Sequence, residues 1–403
     1  MTRDRSESFD EATLLDRARQ KTGLSDFGND EFRVPLRVML ASLAKAPLNP
    51  IGVAVLRASI SRSLGQRLLA EDWFRRHPEI GDEEIEAPLV VVGMMRSGTT
   101  LIQRLLAQDP RCYSALGWEI AEPAPRPGWR PGAPDPRIAA GEERSRQMRE
   151  FAPELHAIHP TDALEPDEEI VLLADAFLSH IPEASCHVPD YRSWLNEQDF
   201  TPAYRWLRRM LQLLQWQKRQ RGGRRQRWVL KTPAHLGYLD LLFAVFPDAT
   251  VIHTHRSPVE TIPSGASLNL TLWRMYADEV DPKEVGRQWI ERTVWATRRA
   301  LAYRDGPVGA EKRFVDVGYR EAVSDPAAAV ARIYQEVDSE LRPDARGAME
   351  RWLGADAHKR RPAHRYSAEE FGLTEADIRE RFAAYIERFI EPGTRGSATA
   401  DSR

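Results

Sequence analysis

Four short apolar segments recur along the chain, and stretches with helical periodicity separate them. The first, 89–92, follows Pro88 and ends at Gly93, which is typical of a strand buried on both faces of a parallel sheet. The other three are 228–231, 250–253 and 313–317. Short strands that alternate with helices predict an α/β fold with a mostly parallel central sheet flanked by helices.

The regions around these strands set the expected domain organisation. Residues 1–86 show helical periodicity over most of their length and are expected to form a helical N-terminal extension packed on the core. Residues 87–392 are expected to form the α/β domain, with a helical substrate-side insertion around 111–226. The small, polar segment 393–403 is predicted to be a disordered tail.

Composition excludes several classes of protein. No apolar run approaches the ~20 residues that cross a bilayer, and the charged start of the chain lacks the apolar core of a secretory signal. A formal net charge of −3 provides no basic field for nucleic acid. Cys112 and Cys186 are too few for a disulfide framework and lack metal-ligand spacing. We therefore expect a cytoplasmic protein with no transmembrane segment, metal or nucleic-acid partner.

The segment 93–100, GMMRSGTT, lies between the first predicted strand and a predicted helix. Backbone N–H groups at a helix N-terminus bind anions, Gly98 permits close approach, and serine and threonine hydroxyls add donors. A nucleoside triphosphatase needs Gly-Lys-Ser/Thr at the end of this loop, whereas Arg96 is the only cation here. The pattern predicts a phosphate-binding loop and disfavours, without excluding, a P-loop kinase or hydrolase. A simple helix cap is the alternative.

A second anion-binding pattern follows the third predicted strand. Arg256 comes just after that strand, and Ser264 lies eight residues further on, at the start of a new helix. Arginine offers a bidentate clamp of permanent charge, and serine adds a hydroxyl. A turn at this point would direct both side chains at one phosphate, although an arginine in a capped surface turn gives the same pattern.

Together, the two segments resemble the family of sulfotransferases that use 3'-phosphoadenosine 5'-phosphosulfate (PAPS), and Arg96 places the chain nearer the bacterial branch. In that family the loop binds the 5'-phosphosulfate, and an arginine followed eight residues later by serine binds the 3'-phosphate. The resemblance assigns the 5' side to Arg96, Ser97, Gly98, Thr99 and Thr100, and the 3'-phosphate to Arg256 and Ser264.

Two further segments agree with this resemblance. Tyr319 follows the fourth predicted strand, as does the family's tyrosine that lies against the adenine. Near the carboxyl terminus a basic cluster that includes Lys359 and Arg365 resembles residues that close over the 3'-phosphate in bacterial members. A solvated charged face is the alternative for this cluster.

The expected catalytic residues are Arg96, Lys231, His235 and Glu119. Arg96 would stabilise the leaving phosphate, and Lys231, at the end of its strand, would steady the bridging oxygen and the sulfuryl group. The resemblance makes Glu119 the base, with Glu168 and Glu169 as runners-up. His235 would orient the acceptor or act as base, or else merely cap a helix.

The implied reaction is in-line transfer of a sulfuryl group from PAPS to a hydroxyl, which releases 3',5'-adenosine bisphosphate without a metal. The acceptor stays open among small molecules, lipids and carbohydrates, as does the oligomeric state. A sulfotransferase-like binding protein without turnover is an alternative. Several aromatic residues of the insertion fit either an acceptor cleft or the core: Trp118, Trp129, Phe151, Phe177, Trp194, Trp206 and Trp216.

Overall fold

The computed structural model describes residues 8–355 and 366–392. Its centre is a five-stranded sheet in which all neighbouring strands pair in parallel, in the order β2-β3-β1-β4-β5. The strands are β1 (Leu89–Gly93), β2 (Cys112–Tyr113), β3 (Arg227–Lys231), β4 (Thr250–His255) and β5 (Arg313–Gly318). The predicted α/β fold is confirmed. The edge strand β2 was not anticipated, because two residues carry no recognisable pattern.

Helices flank this sheet. They are α1 (Glu11–Thr22), α2 (Arg33–Lys45), α3 (Pro50–Arg76), α4 (Thr99–Leu106), α5 (Gly117–Ala121), α6 (Pro136–Phe151), α7 (Pro153–Ile158), α8 (Ile170–Ala174), α9 (Ile181–Ser185), α10 (Pro189–Leu195), α11 (Thr201–Gln220), α12 (Leu239–Val245), α13 (Pro258–Tyr276), α14 (Pro282–Asp305), α15 (Pro307–Ala310), α16 (Tyr319–Ser324), α17 (Pro326–Glu336), α18 (Pro343–Gly354), α19 (Glu375–Arg381) and α20 (Ala383–Phe389). Short 3-10 helices lie at Asp30–Phe32, Pro78–Asp82, Pro233–Tyr238 and Glu369–Phe371. Among the residues described, no helix combines the length and apolarity needed to cross a membrane.

The two faces of the sheet bury separate apolar clusters. Alternate residues of a strand point to opposite faces, and β1 accordingly sends Val90 and Val92 into one cluster and Leu89 and Val91 into the other. The smaller cluster packs α4, α17 and α18 against the sheet. The larger one extends from Phe9 to Ile386 and includes the helices α1 to α3. The N-terminal helices therefore share one core with the sheet.

The carboxyl ends of β1, β3, β4 and β5 meet at one edge of the sheet. In register, Val91 pairs with Lys231, Gly93 with Thr254, and His255 with Gly318. Ligands bind at this edge in open parallel sheets, because the loops that leave the strands diverge there and form a crevice. The predicted functional segments follow these strand ends.

Candidate functional site

A cavity of about 980 Å³ opens at this edge of the sheet. Polar residues of the loop after β1 and of neighbouring segments form one part of its wall, including Arg96, Thr100, Glu168, Arg256 and Tyr319. Largely apolar side chains form much of the rest, including Leu155, Ile181, Leu268, Leu272, Trp289 and Trp295. This volume lies within the range of about 300–1,000 Å³ that is common for small-molecule pockets. The polar and the apolar parts of the wall suit a ligand that has both an anionic and an apolar portion.

Hydrogen bonds of Ser97 stabilise the loop between β1 and α4. Its hydroxyl donates a hydrogen bond to the carbonyl oxygen of Met94 at 2.6 Å and lies 2.7 Å from the hydroxyl of Thr254 on β4. A Cβ at Gly93 would lie 2.4 Å from that same Thr254 hydroxyl oxygen, so glycine is required there. Ser97 is fully buried, and its hydroxyl thus shapes the loop within the protein interior.

The backbone of the loop turns through two left-handed residues before α4 begins. Arg96 has a φ of 71° and Gly98 has a φ of 93°. A Cβ at Gly98 would lie 3.2 Å from the ring of Tyr319. The N–H groups of the first turn of a helix have no partners within the helix, so the start of α4 at Thr99 suits an anion.

The two predicted phosphate-binding segments are in contact. Arg256 donates from Nη1 to the carbonyl oxygen of Arg96 at 3.0 Å, although 160 residues separate them in the chain. Arg96 in turn donates from Nε to the hydroxyl of Ser264 at 3.3 Å. The guanidinium of Arg256 lies 4.1 Å from the centre of the Tyr319 ring. The structure therefore brings Arg96, Arg256, Ser264 and Tyr319 together.

Lys231 is buried at the end of β3, and its ammonium group lies between the loop and a carboxylate. Its Nζ donates to Oε1 of Glu168 at 2.5 Å and to the hydroxyl of Thr100 at 3.3 Å. Burial raises the pKa of Glu168, but the charge of Lys231 and the hydrogen bond from Lys231 outweigh that effect and leave the pKa below its usual value. Glu168 is therefore a carboxylate at neutral pH.

His159 lies on the cavity wall close enough to Glu168 and Lys231 for their charges to act on it. Loss of solvation lowers the pKa of its half-buried ring, an effect that the charge of Glu168 only partly offsets. The ring is accordingly neutral at pH 7. No sequence signal marked His159, because it lies in a loop after α7, far from any predicted strand.

A buried chain of hydrogen bonds holds the backbone of Lys231 in place. The hydroxyl of Tyr204 lies 2.7 Å from Nδ1 of His235, and Nε2 of His235 lies 2.9 Å from Oε1 of Glu169. The other oxygen of Glu169 accepts from the backbone N–H of Lys231 at 2.8 Å. His235 is fully buried and has protein partners on both ring nitrogens, so in this structure it positions Glu169.

Glu119 lies away from the residues that line the cavity. Both of its carboxylate oxygens accept from Nζ of Lys218, at 2.6 and 2.7 Å. One of them also accepts from the backbone N–H of Leu116 at 2.9 Å, which caps α5. The structure thus brings Glu168, and not Glu119, beside Lys231. The cap arises because Glu119 is the third residue of a short helix, a position where glutamate reaches back to the residue before the helix.

The aromatic residues of the insertion belong mostly to the core. Trp118, Phe177, Trp206 and Trp216 are buried, and none of the seven aromatics considered above lines the cavity. Trp289 and Trp295 on α14 line it instead. Their contribution depends on how α14 packs, which the local sequence does not show. Lys359 and Arg365 lie outside the described residues, as does the segment 393–403.

One cluster in the described part of the chain has the donor atoms of a metal site. The ligand atoms of His253, His255 and Asp316 all lie within 4.8 Å of one another. Arg304 already donates to Asp316 at 2.7 and 2.8 Å, and it lies 3.0 Å from Nδ1 of His253. Burial raises the pKa of Asp316, but hydrogen bonds from Arg304 and His255 outweigh it and hold that pKa far below its usual value. The guanidinium of Arg304 thus supplies a positive charge to this cluster.

Comparison with known proteins identifies the family of this chain. A model described as the sulfotransferase family matches residues 88–343. The omega-hydroxy-beta-dihydromenaquinone-9 sulfotransferases Stf3 of Mycobacterium bovis and Mycobacterium tuberculosis are each 27% identical over 259 residues, which cover 62% of this chain and 63% of each relative. The aligned region thus spans less than two thirds of these relatives.

Two solved structures resemble the whole fold. Sulfotransferase STF1 from Mycobacterium tuberculosis is 31% identical, with a TM-score of 0.76, and the match covers 93% of this chain and 98% of that one. Sulfotransferase STF9 from Mycobacterium avium is 28% identical, with a TM-score of 0.83, and covers 94% and 96%. With the family model matching more than half of the residues, this chain belongs to the sulfotransferase family.

Proposed function

We propose that this protein transfers a sulfuryl group from PAPS to a hydroxyl of an apolar, lipid-like acceptor. The observation that carries the proposal is the contact between the two phosphate-binding segments, Arg256 to Arg96 at 3.0 Å, at the wall of a cavity that Glu168 also lines. Both ends of a nucleotide with a 3'-phosphate and a 5'-phosphosulfate then have a cationic partner within one site.

The residues present suit this donor. The start of α4 and Arg96 would hold the 5' side, while Arg256 and Ser264 would hold the 3'-phosphate. Tyr319, against which the Arg256 guanidinium stacks, offers an aromatic face to the adenine. Lys359 and Arg365 remain candidates for the 3'-phosphate, on the family resemblance alone.

The chemistry assigned to the chain's own residues is positioning, charge stabilisation and proton transfer. PAPS supplies the sulfuryl group: its bond from sulfur to the bridging phosphate oxygen breaks as a bond from sulfur to the acceptor oxygen forms. Lys231 and Arg96 stabilise the negative charge that the leaving phosphate gains. Glu168 accepts the proton of the acceptor hydroxyl, a role that its ionised state permits.

Glu168 is preferred to Glu119 as the base on geometric grounds. Glu168 lines the cavity and contacts Lys231, whereas Glu119 is not among the residues that line the cavity and pairs with Lys218. A base must lie within hydrogen-bonding reach of the proton it removes. Neutral His159 on the same wall is available to relay that proton onward to solvent.

The wall of the cavity supports an apolar acceptor. Leu268, Leu272, Trp289 and Trp295 offer a broad apolar surface adjoining the charged part. The curated relatives Stf3 are named for a menaquinone derivative, an extended apolar molecule with a terminal hydroxyl. An acceptor of this chemical class would place its hydroxyl near Glu168 and its apolar body along α13 and α14.

Binding of the donor product tests the proposal. A thermal-shift titration would compare 3',5'-adenosine bisphosphate, 5'-AMP and ATP with Mg²⁺ on the purified chain. Ligand at about 100 times its dissociation constant stabilises the folded state by ~2.7 kcal/mol, which raises the Tm by a few degrees. We expect the bisphosphate to stabilise the protein most, and Arg256→Ala to remove most of that shift.

Arg75→Ala is the matched control, because Arg75 is an exposed arginine on α3 paired only with a neighbouring carboxylate. It should leave the shift unchanged. Stabilisation by ATP with Mg²⁺ alone would contradict the proposal and indicate a nucleoside triphosphate enzyme. Transfer itself is measured with PAPS and a panel of long-chain alcohols, phenols and polyprenyl hydroquinones, by following release of the bisphosphate.

A further inference from the structure

The helix α20 packs one of its faces against the end of β4. Tyr385 and Phe389 lie four residues apart and therefore share a face of α20. The Tyr385 hydroxyl lies 2.9 Å from Nδ1 of His255, the last residue of β4. The ring of Phe389 stacks on the same imidazole, with the ring centres 4.0 Å apart and the planes inclined by 12°. Because Arg256 follows His255 in the chain, α20 contacts the strand end that leads into Arg256.

The hydrogen bonds of His255 have defined directions. Nε2 of His255 lies 2.7 Å from Oδ1 of Asp316, a carboxylate that can only accept, so Nε2 donates. Burial lowers the pKa of His255, so the ring is neutral at pH 7 and its Nδ1 accepts from the Tyr385 hydroxyl. Burial raises the pKa of the Tyr385 phenol, and the backbone N–H of Arg256 partly opposes this effect, so that N–H lies near the phenol oxygen.

The same contacts join the ends of β4 and β5. His255 pairs in register with Gly318, so the next residues of the two strands are Arg256 and Tyr319. The guanidinium of Arg256 lies 4.1 Å from the centre of the Tyr319 ring. The hydrogen bond from His255 to Asp316 crosses from β4 to β5 within three residues of this pair. A displacement of His255 would therefore move Arg256 relative to Tyr319.

We infer that Tyr385 is a positioning residue for the 3'-phosphate site, and that α20 holds His255 and the backbone of Arg256 in the geometry which that site needs. Core packing alone does not require the phenol hydroxyl, since phenylalanine fills nearly the same space and a buried hydroxyl costs free energy unless it is paired. Tyr385 is only 1% exposed, so its hydroxyl depends on these partners. The inference rests on the proposed function, because it assigns a role toward the 3'-phosphate.

The test is Tyr385→Phe, which removes the hydroxyl and keeps the ring. This variant should bind 3',5'-adenosine bisphosphate about three- to tenfold more weakly, the usual effect of one lost hydrogen bond. Its affinity for 5'-AMP should fall much less, because that nucleotide lacks the 3'-phosphate. Calorimetric titration with both nucleotides gives the ratio of the two affinities. A residue with only a structural role changes the Tm, but it does not change this ratio.

A double-mutant cycle shows whether Tyr385 acts through Arg256. In an Arg256→Ala background the guanidinium is absent, so adding Tyr385→Phe should change the affinity for the bisphosphate by less than about twofold. Titration into the millimolar range keeps this weakened binding measurable. Two residues that acted independently would instead multiply their effects. Phe389→Leu, which removes the ring stacked on His255, provides a further variant and should lower the ratio of affinities in the same direction as Tyr385→Phe.

Tyr334→Phe is the matched control. Tyr334 is also buried, and its hydroxyl donates to Oδ2 of Asp109 at 2.6 Å, within the apolar cluster on the other face of the sheet. This variant should lower the Tm and leave the ratio of affinities unchanged. A parent protein that prefers the bisphosphate, together with an unchanged ratio in Tyr385→Phe, would overturn this inference alone. A parent protein without that preference would refute the proposed function and this inference with it.

Discussion

Arg256 donates a hydrogen bond from Nη1 to the carbonyl oxygen of Arg96 at 3.0 Å, joining the loop after β1 to the turn after β4. The same guanidinium stacks on Tyr319 and donates from Nε to Glu260 at 3.0 Å. An arginine held on several sides keeps its charge in a set position before a ligand arrives. Such preorganisation would reduce the entropy lost on binding of the 3'-phosphate, for which we propose Arg256 as a partner.

Arg256→Lys should therefore weaken binding of 3',5'-adenosine bisphosphate about tenfold, although the charge is kept. Lysine cannot reproduce the planar fork that bonds Arg96 and a phosphate together, and it stacks less well on Tyr319. Calorimetric titration measures the change. Because 5'-AMP lacks the 3'-phosphate, its affinity should fall much less, and an equal loss for both nucleotides would refute the assignment of Arg256.

Glu168→Gln should lower kcat by roughly 10²–10⁴-fold, the usual range for removal of a general base. The amide keeps the shape of the side chain and its contact with Thr232, so affinity for the bisphosphate should change little. Steady-state kinetics with PAPS and a responsive alcohol provide the measurement.

Glu119→Gln is the comparison for that prediction. It removes a carboxylate that pairs with Lys218, so it should lower the Tm while kcat stays close to that of the parent protein. If instead Glu119→Gln abolishes turnover and Glu168→Gln does not, the roles assigned to the two glutamates are reversed.

Gly98→Ala should destabilise the protein by about 1 kcal/mol and weaken nucleotide binding. Gly98 has a φ of 93°, a conformation that L-residues rarely adopt, and the added Cβ would lie 3.2 Å from the Tyr319 ring. Chemical denaturation gives the stability, and a thermal shift with the bisphosphate gives the binding. Gly128→Ala is the matched control, because Gly128 also has a left-handed backbone, with a φ of 81°, and an added Cβ there would meet open space. This variant should destabilise the protein without affecting its binding of the bisphosphate.

Asp175→Asn should stabilise the protein at pH 8 by about 2–3 kcal/mol. Burial raises the pKa of Asp175 to about 6, although the charge of Arg62 partly opposes this. Because the folded state holds the proton more tightly than the unfolded state, the parent protein loses stability as pH rises from about 4 to 6. Asparagine mimics the protonated form, so the variant's advantage should vanish below about pH 4.

Denaturant titrations across this pH range measure the effect. Asp135→Asn should have the opposite effect on the free energy of unfolding. Burial raises the pKa of Asp135, but Arg137 outweighs that effect and leaves the pKa at about 2. The folded state therefore favours the carboxylate, and Asp135→Asn should destabilise the protein at pH 8. Equal responses of the two variants would show that the side-chain charges do not control the difference.

Much of the fold was predictable because it depends on short-range patterns. The four longer strands are recognisable in the sequence as apolar runs, because parallel strands are buried on both faces. The two-residue strand β2 has too few residues to show such a pattern. Arg256 and Ser264 were predicted from their spacing after a strand end together with the family resemblance, and Tyr319 was predicted from that resemblance.

The sequence did not show which of the candidate glutamates lies beside Lys231. Glu119, Glu168 and Glu169 are all acidic residues near helix starts, and their roles follow from neighbours that are distant in the chain. Glu169 accepts from Lys231 and lies beside His235, whereas Glu168 contacts the ammonium group of Lys231 within the cavity wall. Long-range contacts of this kind leave no mark on the local pattern of residues.

The sequence alone determined the class of fold and predicted the functional loop after β1 and the arginine after β4, because strand burial, backbone turns and helix starts depend on residues close together in the chain. Only the tertiary structure decided which carboxylate lies beside Lys231 and which tryptophans line the cavity. These depend on how segments that are distant in the sequence pack together; the contact between Glu168 and Lys231, for example, joins residues 63 positions apart.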